Sequence, residues 1–275
     1  MGFIEAILLG LVEGLTEFLP VSSTGHLVLT GHFLGIQERA DVKAFEVVVQ
    51  TGAIFAVVWH YRQGLWERLR RVFSRDPLAW RVFAVLGVAF VPAAVTGLLF
   101  AKAIKAHLFG PRPVVWALIV GGVAMIVVER LLRRRPATHE VPGAGGFETL
   151  EGIPFAKAFG VGCIQCLALW PGVSRSMSTI LGGRVLGLSA AQATEFSFLL
   201  AIPTLLAAGA YDFLKPEARE AFLQGGGTWL SGLLMSFVSA LLVIRVFLHF
   251  VKRYPLEIFG WYRIAIGAIL LFFLA

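Results

Sequence analysis

The chain alternates long apolar runs with short polar breaks. Because a backbone in lipid must satisfy its own hydrogen bonds, each apolar run of about 17 to 25 residues is predicted to cross the membrane as an α-helix. The runs at 45–61, 81–101, 113–129, 194–211, 229–249 and 258–275 meet this condition. The pattern therefore predicts an all-α, polytopic membrane protein with six transmembrane helices.

Shorter apolar segments form two pairs, each interrupted by a proline. A proline disfavours helix at the residue before it, so neither pair makes one continuous spanning helix. We expect two re-entrant helical hairpins. Their segments are 2–18 and 21–35 around Pro20, and 154–170 and 173–187 around Pro171 and Gly172.

The two hairpins belong to an internal repeat. VSSTGHLVLTGHFLG (21–35) aligns without gaps on VSRSMSTILGGRVLG (173–187). Each hairpin precedes three predicted crossings, an odd number, so the second half enters the membrane from the opposite side. Inverted repeats bring broken helices together around a polar cavity near the midplane. We predict one membrane domain, 1–275, built of inverted repeats at about 1–135 and 153–275 and joined by a polar linker at 136–152.

The charged residues indicate how the protein is oriented in the membrane. Only 15% of the residues are charged, where a soluble domain carries about 25%, and the formal net charge is +7. No nucleic-acid-reading motif accompanies the arginines, so no nucleic acid is expected as a partner. The positive-inside rule predicts loops 62–80, 130–153 and 250–257 in the cytoplasm, and both termini with loops 102–112 and 211–228 outside.

The most polar stretch in an apolar setting is VEGLTEFLPVSSTGHLVL, residues 12–29. Ser22 and Ser23, and Ser174 in the second half, stand where helix N-caps stand, so each following helix would aim free N–H groups at the cavity. Two helix N-termini facing each other form an anion site. Arg175 adds a planar fork suited to phosphate.

Two glutamates and a histidine complete the polar set. Glu13 and Glu17 lie four residues apart on one helix face and can hold Mg²⁺ or Ca²⁺ together with phosphate oxygens. His26 lies three residues beyond Ser23, within proton-transfer reach. Alone, each residue type also has an ordinary role: a cap, an interfacial glutamate or a core histidine. Their convergence on one locus favours a phosphate site.

Two motifs resemble those of a known family. EGLTEFLPVSSTGH (13–26) and PGVSRS (171–176) are similar to the signatures of the bacterial undecaprenyl-diphosphate phosphatases, also called bacitracin-resistance phosphatases, and the resemblance extends over the whole chain. It implies hydrolysis of undecaprenyl diphosphate to undecaprenyl phosphate, with a divalent cation, to recycle the lipid carrier for peptidoglycan and other cell-wall polysaccharides. We expect a multi-pass protein of the bacterial inner membrane whose site opens to the periplasmic face.

The expected partners are a polyprenyl diphosphate lipid and the bilayer, and a homodimer is one open alternative. The nucleophile stays open between Ser23, His26 and water; Ser23 is preferred, with His26 as the acceptor of its proton. By role, the expected residues are catalytic Ser23, His26, Glu17 and Arg175, substrate-binding Ser22, Thr24, Ser174, Ser176 and Arg175, and metal-binding Glu13 and Glu17.

Two other functions stay open. The acid-phosphatase-like lipid phosphatases resemble STGH locally, but they need a further His and Asp that nothing after Ser174 and Arg175 supplies. A lipid-carrier flippase or transporter could use the same inverted-repeat scaffold. A pure transporter, however, has no need of serine, histidine and metal-binding glutamates together.

Overall fold

The computed structural model describes residues 1–108, 110–133, 147–214 and 216–274. Across these residues the chain folds into α-helices and one short 3₁₀ segment, with no β-strand. The all-α prediction is confirmed. Of the predicted linker at 136–152, residues 136–146 lie outside the described residues. Residues 147–152 form a short helix.

In the described part of the chain, the helices of the first half are α1 (Phe3–Thr16), α2 (Ser23–Phe33), α3 (Ala40–His60), α4 (Arg62–Phe73), α5 (Pro77–Leu108) and α6 (Pro111–Arg133). Those that follow are α7 (Phe147–Gly152), α8 (Phe155–Gln165), α9 (Arg175–Val185), α10 (Ala190–Phe213), α11 (Pro216–Phe250) and α12 (Glu257–Leu274). The 3₁₀ segment, Cys166–Leu169, continues α8 toward the turn before α9.

Within the described residues, five helices are long and apolar enough to cross a membrane, which confirms a polytopic membrane protein. They coincide with the first five predicted crossings. The sixth predicted crossing falls on α12, whose 18 residues lie near the lower limit for a span. Its crossing stays a prediction. The five segments are Ala40–His60, Pro77–Phe100, Arg112–Leu132, Ala190–Tyr211 and Gly225–Phe250.

The pairs α1–α2 and α8–α9 lie where the sequence predicts broken helices. Ser22 and Ser174, the N-caps of α2 and α9, have left-handed backbone with φ of 72° and 79°. In each, the side-chain oxygen accepts a hydrogen bond from the backbone N–H three residues further on. Such a φ is uncommon for serine and persists only where the surroundings fix it. Both halves therefore use the same strained cap.

Each short pair packs against a long helix of the opposite half, α1 against α11 and α8 against α5. In addition, α6 packs on α12 and α3 on α10. Small residues let α1 approach α11 closely, since a Cβ at Gly14 would overlap Ser239 and one at Gly10 would overlap the Gly232 carbonyl. This packing buries the polar end of α1 inside the bundle.

Large apolar side chains remain exposed on the outward faces of the long helices. On α5, Val91, Val95, Leu98 and Leu99 are between 49% and 72% exposed. Contiguous apolar surface of this kind marks an interaction with an apolar environment. These faces are suited to lipid contact.

Candidate active site

The site lies where the turn after α1 meets the start of α9. Glu17 caps the C-terminus of α1 and is buried. Its Oε2 accepts a 2.7 Å hydrogen bond from the Ser23 hydroxyl, and its Oε1 accepts a 3.1 Å bond from Nη2 of Arg175. One carboxylate thus joins the first residue of α2 to the first residue of α9.

The guanidinium of Arg175 is held from several sides. Its Nη1 donates to the carbonyl of Ser197 at 2.9 Å and to the Ser197 hydroxyl at 3.3 Å. The guanidinium carbon lies 5.7 Å from the centre of the Phe18 ring. Nε is buried and has no partner among the described residues. Arg175 is therefore fixed in orientation, and its Nε hydrogen is unpaired among the described residues.

The other serines of the second motif link the two turns. Ser176 donates its hydroxyl to the carbonyl of Leu19 at 2.7 Å, and the oxygens of Ser176 and Ser174 lie 3.0 Å apart. Ser174 also accepts the N–H of Met177 as the cap of α9. Both predicted substrate-binding serines thus lie at the site, with their hydroxyls engaged in holding the turns.

The first motif contributes one buried and one exposed group. Ser22 is buried and accepts the N–H of Gly25. Thr24, in the first turn of α2, is exposed. Of these two predicted substrate-binding residues, Thr24 is the exposed one.

His26 makes different contacts from those that its spacing suggested. Its Nδ1 lies 2.8 Å from the carbonyl of Ser22, and its Nε2 lies 2.7 Å from the hydroxyl of Tyr262. A carbonyl only accepts, so in the neutral ring Nδ1 carries the hydrogen and Nε2 accepts from Tyr262. No hydrogen bond joins His26 to Ser23; Glu17 holds that hydroxyl. The helical side chain leans toward the N-terminus, which brings the ring to the carbonyl four residues earlier.

Glu13 is completely buried, and neither of its carboxylate oxygens has a hydrogen-bond partner among the described residues. Glu13 interacts electrostatically with the charged side chains of Glu17, Glu46 and Arg175. Within the described residues, no three His, Cys, Asp or Glu side chains are grouped to hold a metal ion. A buried carboxylate with two open oxygens nevertheless fits a hard cation whose other ligands are phosphate and water. The second predicted ligand, Glu17, has both oxygens already engaged.

Sequence reasoning missed Ser197, Tyr262 and Arg263. Arg263 is a charged residue inside the apolar run 258–275, and an ionisable residue at such a position is a functional candidate. That signal could have identified it. Ser197 and Tyr262 carry no local signal, because only the tertiary fold brings them to Arg175 and His26.

These helices and contacts define a polytopic helical membrane protein with a buried polar site shared by two broken helix pairs. A family model described as bacitracin resistance protein BacA matches residues 6–269. The chain belongs to this family, as its two motifs predicted.

Curated relatives match nearly the full length. A protein named undecaprenyl-diphosphatase from Sorangium cellulosum is 54% identical over 272 residues, which cover 98% of this chain and 86% of the relative. An undecaprenyl-diphosphatase from Polaromonas naphthalenivorans is 47% identical, with 98% and 94% covered. A protein named undecaprenyl-diphosphatase 2 from Rhodospirillum rubrum is 45% identical, with 98% and 93% covered.

Proposed function

We propose that the chain hydrolyses undecaprenyl diphosphate to undecaprenyl phosphate and inorganic phosphate, which returns the lipid carrier to cell-wall polysaccharide synthesis. The observation that carries this proposal is the pair of hydrogen bonds on Glu17, from the Ser23 hydroxyl and from Arg175. In this proposal Ser23 is the nucleophile, Glu17 accepts its proton and the Arg175 guanidinium binds phosphate, and the two hydrogen bonds bring these three side chains together. The names of the relatives support the same reaction.

The diphosphate would bind between the N-termini of α2 and α9. Their first N–H groups and positive dipole ends favour an anion. The unpartnered Nε of Arg175 offers a charge-assisted donor, and Thr24, an exposed residue, offers a second one. Ser22 and Ser174 act mainly by capping, which keeps the two N-termini open toward the ligand.

In the first step, the Ser23 oxygen attacks the terminal phosphorus in line. A serine–phosphorus bond forms while the bond to the bridging oxygen breaks, and its electron pair leaves with undecaprenyl phosphate. The serine proton passes to Glu17, to which the hydroxyl is already bonded at 2.7 Å. Arg175 and the helix N–H groups stabilise the charge on the equatorial oxygens.

In the second step, water attacks the phosphoserine, the Ser23–phosphorus bond breaks, and Glu17 returns the proton to the serine oxygen. His26 is the proposed acceptor of the proton that water loses. Its Nε2 faces the Tyr262 hydroxyl at 2.7 Å, so Tyr262 must turn aside for this transfer. Inorganic phosphate then leaves.

Glu13 is the proposed ligand for a divalent cation, Mg²⁺ or Ca²⁺. Its two open, buried oxygens support this role. When bound, the cation would neutralise negative charge on the phosphate oxygens. Glu17 stays a candidate second ligand, on the condition that it releases one of its present partners.

For the membrane arrangement we propose six crossings, with α12 as the sixth, and two re-entrant hairpins, α1–α2 and α8–α9, in an inverted repeat of 1–135 and 153–275. The matching caps of α2 and α9 and the packing of α1 and α8 on opposite halves support it. The site would open to the periplasmic face of the inner membrane. A homodimer is compatible with this arrangement.

Phosphate release from purified protein separates hydrolysis from lipid flipping. We expect the wild-type protein in detergent to release inorganic phosphate from undecaprenyl diphosphate, and Ser23→Ala to release none. Ser189→Ala, which removes a serine at the start of α10 away from these contacts, is the control. Transbilayer movement of the lipid in vesicles without any phosphate release in detergent would favour the flippase.

A further inference from the structure

Arg263 of α12 is fully buried, and all four of its hydrogen bonds end on backbone carbonyls. Nη2 donates to Gly172 at 2.8 Å and to Ala117 at 3.0 Å. Nη1 donates to Pro20 at 3.3 Å, and Nε donates to Leu118 at 3.3 Å. One guanidinium thus bonds the turn of the first hairpin, the turn of the second hairpin and α6.

A buried guanidinium without a carboxylate is costly, because carbonyl dipoles replace only part of its hydration. In the described part of the chain, no acidic side chain accepts a bond from Arg263. Within the described residues its positive charge therefore bonds only to carbonyl oxygens, directly beside the turns that would bind an anion. This placement favours a role at the site over a role in stability.

The surrounding backbone makes room for this guanidinium. A Cβ at Gly121 would overlap Nη2 of Arg263. A Cβ at Gly122 would lie 2.6 Å from the carbonyl of Gly260, so α6 and α12 approach with no space for side chains between them. Gly172 accepts its bond from a left-handed backbone with φ of +95°. Side chains larger than glycine at Gly121 and Gly122 would therefore collide with Arg263 or with the α12 backbone beside it.

The two hairpin-turn carbonyls that Arg263 binds lie close to the N-caps of α2 and α9. Pro20 precedes the cap Ser22 by two residues, and Gly172 precedes the cap Ser174 by two residues. Fixing both carbonyls on one planar group fixes the start of α2 relative to the start of α9. The preceding residue of α12, Tyr262, holds His26 of α2 at the same time.

We propose that Arg263 is a positioning residue that locks the two half-helix N-termini onto one phosphate, so that Ser23 and Arg175 converge on it. This inference rests on the proposed phosphatase function. Lysine cannot replace Arg263, because a single ammonium cannot reach four carbonyls from three segments.

The test compares Arg263→Met and Arg263→Lys with Arg81→Met. Arg81 is a matched control because it also donates to two backbone carbonyls, those of Glu151 and Ile153, at 2.6 Å and 3.0 Å, away from the hairpin turns. We expect kcat per folded protein to fall about 100-fold or more in both Arg263 variants, since a misplacement of about 1 Å can cost that much. KM should change far less, and Arg81→Met should keep its kcat.

A second measurement does not depend on activity. Spin labels at Phe33 and Val185, the exposed C-terminal ends of α2 and α9, report the distance between the hairpins once Cys163 and Cys166 are replaced. The distance distribution should broaden in Arg263→Met and stay narrow in Arg81→Met. Gly121→Ala, which pushes on the guanidinium without removing it, should broaden it too.

Normal kcat in Arg263→Met, or a distance distribution as narrow as that of the wild type, would overturn the positioning role. An equal loss of kcat in Arg81→Met would also overturn it, because the effect would then be general destabilisation. If the wild-type protein releases no phosphate, the proposed function fails, and the spin-label distances still decide whether Arg263 locks the hairpins.

Discussion

Ser23 and Arg175 occupy equivalent positions in the two repeats, and both side chains donate to the same carboxylate, that of Glu17. The repeat alignment that pairs Ser22 with Ser174 also pairs Ser23 with Arg175. The second helix of the first hairpin, α2, therefore begins with a hydroxyl group, and the second helix of the other hairpin, α9, begins with a guanidinium. In the proposed function, the two copies supply complementary parts of a phosphoryl-transfer site, a nucleophile and a phosphate-binding cation.

Glu17→Gln should abolish most of the activity. The amide keeps the size of the side chain but cannot accept the serine proton and loses the ion pair to Arg175. We expect phosphate release to fall by about 10² to 10⁴, the range for a positioned proton acceptor. Glu38→Gln, at an exposed glutamate paired with Lys43, serves as control. Turnover of Glu17→Gln near that of this control would remove Glu17 from the mechanism.

Arg175→Lys should also be severely impaired. Lysine keeps the charge but loses the fork that reaches Glu17 and Ser197 together. A phosphoryl-transfer arginine contributes roughly 10³ to 10⁵ in rate, and we expect a loss within that range in steady-state kinetics. Arg219→Lys, at an exposed position, should be unaffected. Near-normal turnover of Arg175→Lys would mean that only a point charge is needed.

Activity should require Mg²⁺ or Ca²⁺, and Glu13→Gln should raise the metal concentration for half-maximal rate. Without metal, Glu13→Met should stabilise the protein, because an apolar side chain replaces a buried carboxylate whose oxygens have no partner among the described residues. Relief of about 1 kcal/mol corresponds to a Tm increase of roughly 2 to 4 °C, measured in chelator. Full activity of the wild type in excess chelator would exclude the metal.

A quench with radiolabelled substrate should trap a phosphoenzyme on Ser23. His26→Ala should let this species form and persist, because hydrolysis loses its proton acceptor, and Ser23→Ala should abolish it. Phosphoserine is stable to acid, whereas phosphohistidine is acid-labile and stable to base. Acid-labile label would identify His26 as the nucleophile, and absence of label in all variants would point to direct attack by water.

Cysteine labelling should place the loops on two sides of the membrane. In a background without Cys163 and Cys166, we expect cytoplasmic labelling at Arg70 and Tyr254 and external labelling at Arg112, Leu223 and Phe273, all exposed positions. Tyr254 precedes α12 and Phe273 lies near its C-terminus, so labelling of both from one side would exclude its crossing. Labelling of Arg70 and Arg112 from one side would contradict the predicted topology.

The broken helices and their caps could be predicted because their causes are local. Pro20 and Pro171 interrupt apolar segments that are too short to span, and the serines that follow are good caps. The structure has α1, α2, α8 and α9 at these positions. The same local reasoning placed Glu13, Glu17, Ser23 and Arg175 at one locus.

The partners within that locus could not be predicted. Spacing suggested His26 for the Ser23 hydroxyl, but Glu17 reaches it across the turn, and His26 bonds to Tyr262 from a helix 236 residues away. Such contacts depend on how α12 lies on α6 and on both turns. Periodicity along one helix carries no information about that packing.

The exchange of packing partners between the halves has a consequence for biogenesis. α1 emerges first from the ribosome, yet the helix against which it packs, α11, begins only at Pro216. Until then Glu13 lacks its final burial, even though Arg175 has already been synthesised. The buried site can therefore form only after about the last fifth of the chain, from residue 216 onward, has been inserted into the membrane.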